Sequence, residues 1–221
     1  MTTNQNQESR RKIAARNMAV YQKFARYLSQ KSITPNQISL LSIAFAFVGM
    51  LALLLYPKVN YIWQSILLAI VLLMIFLRVS CNLLDGLVAV EGGKQTKSGG
   101  LFNDAPDRVA DSFFLIGCGF ATAHIWGIFL GFTAALLAMA TAYIRNLNVA
   151  NGALWSFKGP MAKPQRMAVL SMATCLALFS PWINFLKYSF WLALVIICIG
   201  CIVTCYNRLK EAYNYLEQDY V

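Results

Sequence analysis

Oxygen-bearing side chains are concentrated in residues 82–107, a stretch that lies between two long hydrophobic runs. Asn82 and Asp85 precede a glycine-rich segment, and Asn103 and Asp107 follow it. Carboxylate and amide oxygens are the ligands that Mg²⁺ prefers and Mn²⁺ accepts, and bound Mg²⁺ usually keeps positions open for phosphate oxygens. This set of residues therefore suits metal-assisted phosphoryl transfer, in which a carboxylate also takes the proton of an attacking hydroxyl.

The first two of these side chains are predicted to lie at the end of a helix. No helix-breaking residue interrupts the preceding hydrophobic run before Gly92. Asn82 and Asp85 therefore share a helix face with Ala89, at intervals of three and four residues. The neighbouring glycines and Ala89 leave room for a nucleotide or a diphosphate to approach the backbone.

A second helix is predicted to begin close to Asn103. It would carry Asn103, Asp107 and Asp111 on one face, at intervals of four residues. If the connection 92–100 joins two antiparallel helices, their polar faces come together.

An ordinary solvated loop is the alternative. Asn103 could cap a helix whose dipole favours Asp104 and Asp107 in its first turn, and Asp85 could pair with Arg78. This alternative does not explain why carboxylates occur on both helices near hydrocarbon, where an ionised group is costly unless it is paired or binds a metal. We therefore favour a metal site.

The composition indicates a membrane protein. Of 221 residues, 58% are hydrophobic and 13% are charged, and the mean hydropathy is +0.55, outside the range of ordinary soluble domains. Uncharged runs occupy residues 32–57, 60–77, 112–144, 167–186 and 188–207. Because the third run can cross twice with a turn near His124, six transmembrane helices and an all-α polytopic fold are predicted. Gly127 and Gly131 would allow close helix packing in the fourth span.

Positive charges divide by predicted membrane side. Of the 19 lysines and arginines, only Lys58 and Lys187 fall on the side opposite the N-terminus. The positive-inside rule then puts both termini and the polar site in the cytoplasm, at the inner membrane if the cell is bacterial. This distribution accounts for the net charge of +10 without a nucleic-acid partner.

The N-terminal segment combines cations with regularly spaced aromatic and aliphatic residues, which is typical of an amphipathic helix lying on a lipid surface. Thr34, Pro35 and Gln37 then predict a capped start for the first membrane helix. The predicted domains are the cytoplasmic segment 1–32 with the amphipathic helix, the six-helix catalytic domain 33–207 and the cytoplasmic tail 208–221.

The polar stretch also resembles the signature of the CDP-alcohol phosphatidyltransferase family, D-x-x-D-G-x-x-A-R, eight or nine residues, then G-x-x-x-D-x-x-x-D. The corresponding residues, in unbroken register, are Asn82, Asp85, Gly86, Ala89, Val90, Gly99, Asn103 and Asp107. The six predicted spans, the amphipathic helix and the TPNQIS segment are similar to this family as well, so the resemblance covers nearly the whole chain.

The resemblance implies an enzyme that transfers a phosphatidyl group from CDP-diacylglycerol to the hydroxyl of a small polar alcohol, phosphorylated in some members, and releases CMP. It implies Mg²⁺ or Mn²⁺ as cofactor and Asp107 as general base. The implied metal ligands are Asn82, Asp85, Asn103 and Asp107. Asp104 or Asp111 could partly replace the charge lost at the asparagines, and we favour Asp111 because it lies one turn along the same helix face. The implied nucleotide contacts are Asn82, Asp85, Gly86, Ala89, Gly99 and Asn103. A homodimer is what the resemblance, rather than the sequence itself, suggests.

Three positions depart from the family pattern: Asn82 and Asn103 replace aspartates, and Val90 replaces arginine. Two neutral amides weaken the case for a fully occupied two-metal site, because fewer negative charges compensate the cations. These departures could mark a subgroup with altered chemistry.

Family members that use a phosphorylated alcohol hold its phosphate with arginines. By this resemblance the acceptor-binding residues are Arg145, Lys158, Lys163 and Arg166, although the positive-inside rule alone also explains these cations. Two other functions stay open: a CDP-choline or CDP-ethanolamine type of phosphotransferase acting on diacylglycerol, and a non-catalytic homologue that binds a nucleotide lipid. A small transporter is disfavoured, because the acidic residues lie at helix ends rather than at mid-span.

Overall fold

The computed structural model describes residues 19–31, 33–91, 93 and 98–218, and the regular elements in these ranges are all helical, as predicted. The α-helices are α1 Ala19–Gln30, α2 Pro35–Leu55, α3 Tyr61–Glu91, α4 Gly99–Ala121, α5 Ile125–Ala150, α6 Lys163–Leu178 and α7 Ser189–Gln218. Two short 3₁₀ helices, Tyr56–Lys58 and Asn184–Tyr188, follow α2 and precede α7.

Four segments of the described chain are long and apolar enough to cross a membrane. They are Pro35–Lys58, Tyr61–Val90, Ile125–Ala150 and Asn184–Gln218. Together with the composition they identify a membrane protein. The other two predicted spans correspond to α4, which carries charged residues in its first half, and to α6, which has only 16 residues. Six spans therefore remain a prediction.

One predicted helix start and one predicted turn are confirmed. Thr34 Oγ1 accepts a hydrogen bond from the backbone N–H of Gln37 at 3.3 Å, and Gln37 Oε1 accepts one from the Thr34 N–H at 2.9 Å, which completes the capping box. The predicted turn near His124 separates α4 from α5. The His124 Nδ1 atom caps α5 by accepting a hydrogen bond from the Trp126 N–H at 3.2 Å.

Two predicted helix boundaries were wrong. α4 begins at Gly99 rather than near Asn103, because the Ser98 carbonyl already accepts the first helical hydrogen bonds. α6 ends at Leu178 rather than near residue 186. α7 continues to Gln218, so most of the segment predicted as a cytoplasmic tail is helical, and the tail itself stays a prediction.

α1 is amphipathic in the structure. Ala25 is buried and the Tyr21 hydroxyl lies 3.0 Å from Ser80 Oγ on α3, whereas Phe24 and Tyr27 are exposed. The remainder of the predicted amphipathic segment, residues 10–18, lies outside the described residues. A lipid-facing role for the exposed aromatic side stays a prediction.

Packing of α4 against α5 depends on glycines, as the predicted small-residue pair indicated. A Cβ atom on Gly131 would lie 2.8 Å from the Gly119 Cα and 2.8 Å from the Leu115 carbonyl oxygen. A Cβ atom on Gly127 would overlap the Thr122 side chain. The two backbones are therefore as close as glycine permits.

We expect Gly131→Ala to lower the stability of the protein by about 1–3 kcal/mol, because the neighbouring atoms are helix backbone and cannot move away independently. Thermal unfolding in detergent measures the change. Gly100→Ala is the matched control, since nothing lies within 4 Å of its Cβ position, and it should change stability by less than about 0.5 kcal/mol. Equal melting temperatures for the two variants would contradict this packing.

Candidate active site

The site begins with a buried carboxylate at the end of α3. Asp85 is 3% exposed, and its Oδ2 atom accepts a hydrogen bond of 2.6 Å from Ser39 Oγ in the first turns of α2. Its Oδ1 atom accepts one of 2.5 Å from the Gly86 N–H. The alternative prediction that Asp85 pairs with Arg78 is therefore wrong. Ser39 was missed because nothing in its local sequence indicates a partner on another helix.

Arg78 is the central cation of the site and was not predicted as a site residue. It is 1% exposed, and its Nη2 atom donates to Asp111 Oδ1 at 2.5 Å and to Asp107 Oδ1 at 3.4 Å. A signal was present: Arg78 precedes Asn82 by four residues and Asp85 by seven, so it lies on the helix face of the predicted ligands. It joins α3 to α4.

Asp111 is held from the other side by Arg166 at the start of α6. Asp111 Oδ2 accepts hydrogen bonds from Arg166 Nη2 at 2.7 Å and Nε at 3.2 Å. Arg166 also donates to the Met161 carbonyl at 3.1 Å and is 2% exposed. Both Asp111 oxygens thus accept from arginines, and Arg166 is buried among its partners. A metal-binding role for Asp111 and an acceptor-binding role for Arg166 stay predictions.

Asp107 lies one turn before Asp111 and meets a different cation. Lys163, the first residue of α6, donates from Nζ to Asp107 Oδ2 and to Asn82 Oδ1, the latter at 2.6 Å. The structure therefore brings together two predicted ligands and one predicted acceptor-binding lysine. Lys163 lies outside the four candidate spans. Burial and the nearby Arg78 guanidinium lower the pKa of Lys163 to about 8, although Asp107 and Asp111 act in the opposite direction.

Asn103 is exposed and lies inside α4, so it does not cap that helix. Its neighbour Asp104 is the engaged residue: Oδ1 accepts from Arg108 at 2.5 Å and from Arg145 at 2.9 Å. Burial acts to raise the pKa of Asp104, but the two guanidinium groups outweigh it and hold that pKa below its ordinary value.

The other two predicted acceptor-binding residues, Arg145 and Lys158, lie in different parts of the structure. Arg145 reaches α4 through Asp104, and its guanidinium also lies 5.4 Å from the centre of the Trp155 ring. Lys158 is exposed and pairs with Glu211 on α7 at 2.7 Å. Lys158 thus makes its ion pair away from the central cluster, whereas Arg145 binds Asp104, one turn before Asp107 on α4.

The small residues predicted to contact a nucleotide are half-buried. Gly86 and Ala89 lie on the last turns of α3, and Gly99 begins α4. Their exposure leaves this part of the helix ends accessible. Within the described ranges, no three His, Cys, Asp or Glu residues lie close enough to hold a metal by themselves, so amide oxygens would have to contribute.

Sequence comparison finds relatives of similar length. The inner membrane protein YnbA of Escherichia coli is 22% identical over 189 residues, which cover 83% of this chain and 88% of that protein. The phosphatidylinositol phosphate synthase of Streptomyces avermitilis is 25% identical over 193 residues, which cover 84% of this chain and 75% of the synthase. No protein-family model matches the chain.

The fold is similar to that of phosphatidylinositol phosphate synthase from Mycobacterium tuberculosis. The crystal structure of that protein with CDP-DAG bound has a TM-score of 0.67 and 20% identity, and the match covers 88% of this chain and 94% of the other. A second structure, in complex with manganese and citrate, also has a TM-score of 0.67, at 22% identity over 87% of this chain and 88% of the other. The register of the signature, the sequence relatives and the shared fold thus agree, and the chain is similar over most of its length to phosphatidylinositol phosphate synthases.

Proposed function

We propose that this protein is a membrane enzyme of phospholipid synthesis, which transfers a phosphatidyl group from CDP-diacylglycerol to the hydroxyl of a small polar alcohol and releases CMP. One observation carries the proposal: Asn82 and Asp107, from different helices, converge on a single cationic atom, Lys163 Nζ. Such a cluster of oxygens and cations suits a diphosphate and its counterion. Similarity to phosphatidylinositol phosphate synthases, one of which has been crystallised with CDP-DAG bound, favours this donor over a CDP-choline type of reaction.

The donor set fits a divalent cation. Asn82 Oδ1 and Asp107 Oδ2 both contact the positively charged Lys163 ammonium, and the Asp85 carboxylate lies on the same face of α3 as Asn82. These hard oxygen atoms suit Mg²⁺ or Mn²⁺, and we propose Asn82, Asp85 and Asp107 as ligands, with Asn103 at the exposed rim. When bound, the cation would neutralise the diphosphate of the donor.

We assign proton removal to Asp107. The oxygen of the acceptor alcohol attacks the lipid-bearing phosphorus, Asp107 takes the hydroxyl proton, and the electron pair of the broken P–O bond leaves with CMP. Arg78 orients the carboxylate through Oδ1, which leaves Oδ2 toward the reacting groups and Lys163. Asp111 holds Arg78 and Arg166 in position.

For the acceptor we retain Arg145, because it binds Asp104 one turn from Asp107 and its side chain is still 19% exposed. A guanidinium with donors beyond one ion pair suits a phosphorylated alcohol. Lys163 contacts two of the proposed ligands, so we assign it to the reacting phosphates. We do not retain Lys158 or Arg166 as acceptor contacts, since each is engaged by other partners.

Six membrane crossings are also part of the proposal. Polar contacts join the start of α2 to the end of α3 through Ser39 and Asp85, and the start of α4 to the end of α5 through Asp104 and Arg145. Others join the start of α6 to α4, and the end of α5 to Arg208 in the second half of α7. These contacts lie at the start of one helix and toward the end of the next, so successive helices run in opposite directions. This arrangement supports six antiparallel crossings. The positive-inside rule assigns this level to the cytoplasmic face.

We expect purified protein, given labelled CDP-diacylglycerol, Mg²⁺ or Mn²⁺ and a panel of polar alcohols that includes phosphorylated polyols, to release CMP with at least one acceptor. Removing divalent cations with EDTA should abolish release, because the diphosphate then lacks its counterion. Intact donor binding without CMP release for any acceptor would instead support a non-catalytic nucleotide-lipid-binding protein.

We expect Asp107→Asn to lower the rate of CMP release by roughly 10²-fold or more, because an amide cannot accept the hydroxyl proton. Size-exclusion profiles and donor binding should report an intact fold. Glu211→Gln is the matched control, since it makes the same change at a carboxylate that pairs with Lys158 away from the cluster. A near-normal rate for Asp107→Asn would exclude Asp107 as the base.

A further inference from the structure

The buried cluster holds equal numbers of positive and negative formal charges. Its members touch one another through ion pairs or lie on the shared polar face, and Asp104 is outside it because Arg108 and Arg145 neutralise it separately. The described members are the acids Asp85, Asp107 and Asp111 and the bases Arg78, Lys163 and Arg166. The formal sum is zero.

The two asparagines decide this balance. If positions 82 and 103 carried aspartate, the same set of side chains would have a formal charge of −2, which is the charge that one divalent cation cancels. With Asn82 and Asn103 that deficit does not exist. A cation entering the cluster would meet three fixed positive charges with no excess of carboxylates to attract it.

Lys163 occupies the relevant position. Its ammonium contacts Asn82 Oδ1 and Asp107 Oδ2, two of the oxygens that the family resemblance assigns to metal. A lysine ammonium is a compact point charge with three donors and no acceptor, so it can bridge an amide oxygen and a carboxylate. Because Lys163 is the first residue of α6 and Arg166 anchors that helix to Asp111, the ammonium is held at this position.

We propose that the Lys163 ammonium is a built-in replacement for one of two divalent cations, so that this chain holds a single divalent cation and binds it tightly only together with the diphosphate of the donor. The inference rests on the proposed function, which supplies that diphosphate. A diphosphate esterified at both ends carries two negative charges. One divalent cation then restores neutrality around a cluster that is already balanced.

Manganese binding tests the proposal without turnover. The loss of the free Mn²⁺ signal in electron paramagnetic resonance would be measured on purified protein, with and without CDP-diacylglycerol and with no acceptor alcohol present. We expect at most one Mn²⁺ per chain. We also expect the donor to raise the Mn²⁺ affinity by about tenfold or more, because it adds the negative charge that the cluster lacks.

Two variants should make the charge of the cluster more negative and so strengthen Mn²⁺ binding in the absence of donor. Lys163→Met should raise Mn²⁺ affinity by about tenfold or more by removing a contacting positive charge. The double variant Asn82→Asp, Asn103→Asp should bind one Mn²⁺ tightly without donor and a second one when donor is added. Lys158→Met is the matched control, because it removes the same charge from an exposed residue paired with Glu211, and it should leave binding unchanged.

Two Mn²⁺ per wild-type chain would overturn the proposal. So would unchanged binding in the double variant, which keeps the test decisive if Lys163→Met fails to fold. Because no step requires catalysis, a protein that binds Mn²⁺ as expected but releases no CMP would refute the proposed function and leave the charge replacement standing.

Discussion

The ion pairs of Asp111 with Arg78 and Arg166 are the constraint on which the site depends. An ionised carboxylate at 1% exposure is stable only if its oxygens are paired, and here α3 and α6 each supply one arginine to a residue of α4. The three helices must therefore meet with a particular rotation and height. Removing Asp111 would leave Arg166 without its carboxylate, and removing either arginine would leave one Asp111 oxygen without its donor.

Because of these ion pairs, two neighbouring aspartates of α4 have different roles. Asp107 and Asp111 lie one turn apart on the same face of α4, so their local environments in the sequence are alike. Asp111 faces two guanidinium groups and is saturated, whereas Asp107 faces Lys163 and a more distant Arg78. The saturated residue orders the cations, and the other is left with an oxygen directed toward the proposed ligands.

The two asparagines at signature positions keep an oxygen ligand but change the charge of the site. Replacing a carboxylate by an amide keeps an oxygen at nearly the same position but removes a negative charge. At Asn82 that oxygen accepts from Lys163, which makes the amide and the ammonium a matched pair. The fold and the register of the signature are then retained, whereas the number of divalent cations proposed for the site falls to one.

Much of the fold could be predicted, because its determinants are local. The capping residues Thr34 and Gln37, the turn at His124 and the small residues Gly127 and Gly131 act within a few residues of the chain, and the structure confirms each of them. The helix faces of Asn82, Asp85 and Asp107 follow from the helical period in the same way. The boundaries of α4 and α6 were less predictable, because helix ends depend on which partner completes the last hydrogen bonds.

The sequence by itself determined an all-helical membrane chain and the set of polar residues that share each helix face. Only the tertiary structure decided which donor meets which carboxylate: Arg78 and Arg166 at Asp111, Lys163 at Asp107, and the Ser39 hydroxyl at Asp85. The physical reason is that a period of 3.6 residues assigns side chains to a face, but says nothing of the rotation and axial offset between helices. Those offsets are set by close packing across the whole bundle, including the glycine contacts of α4 and α5 far from the site.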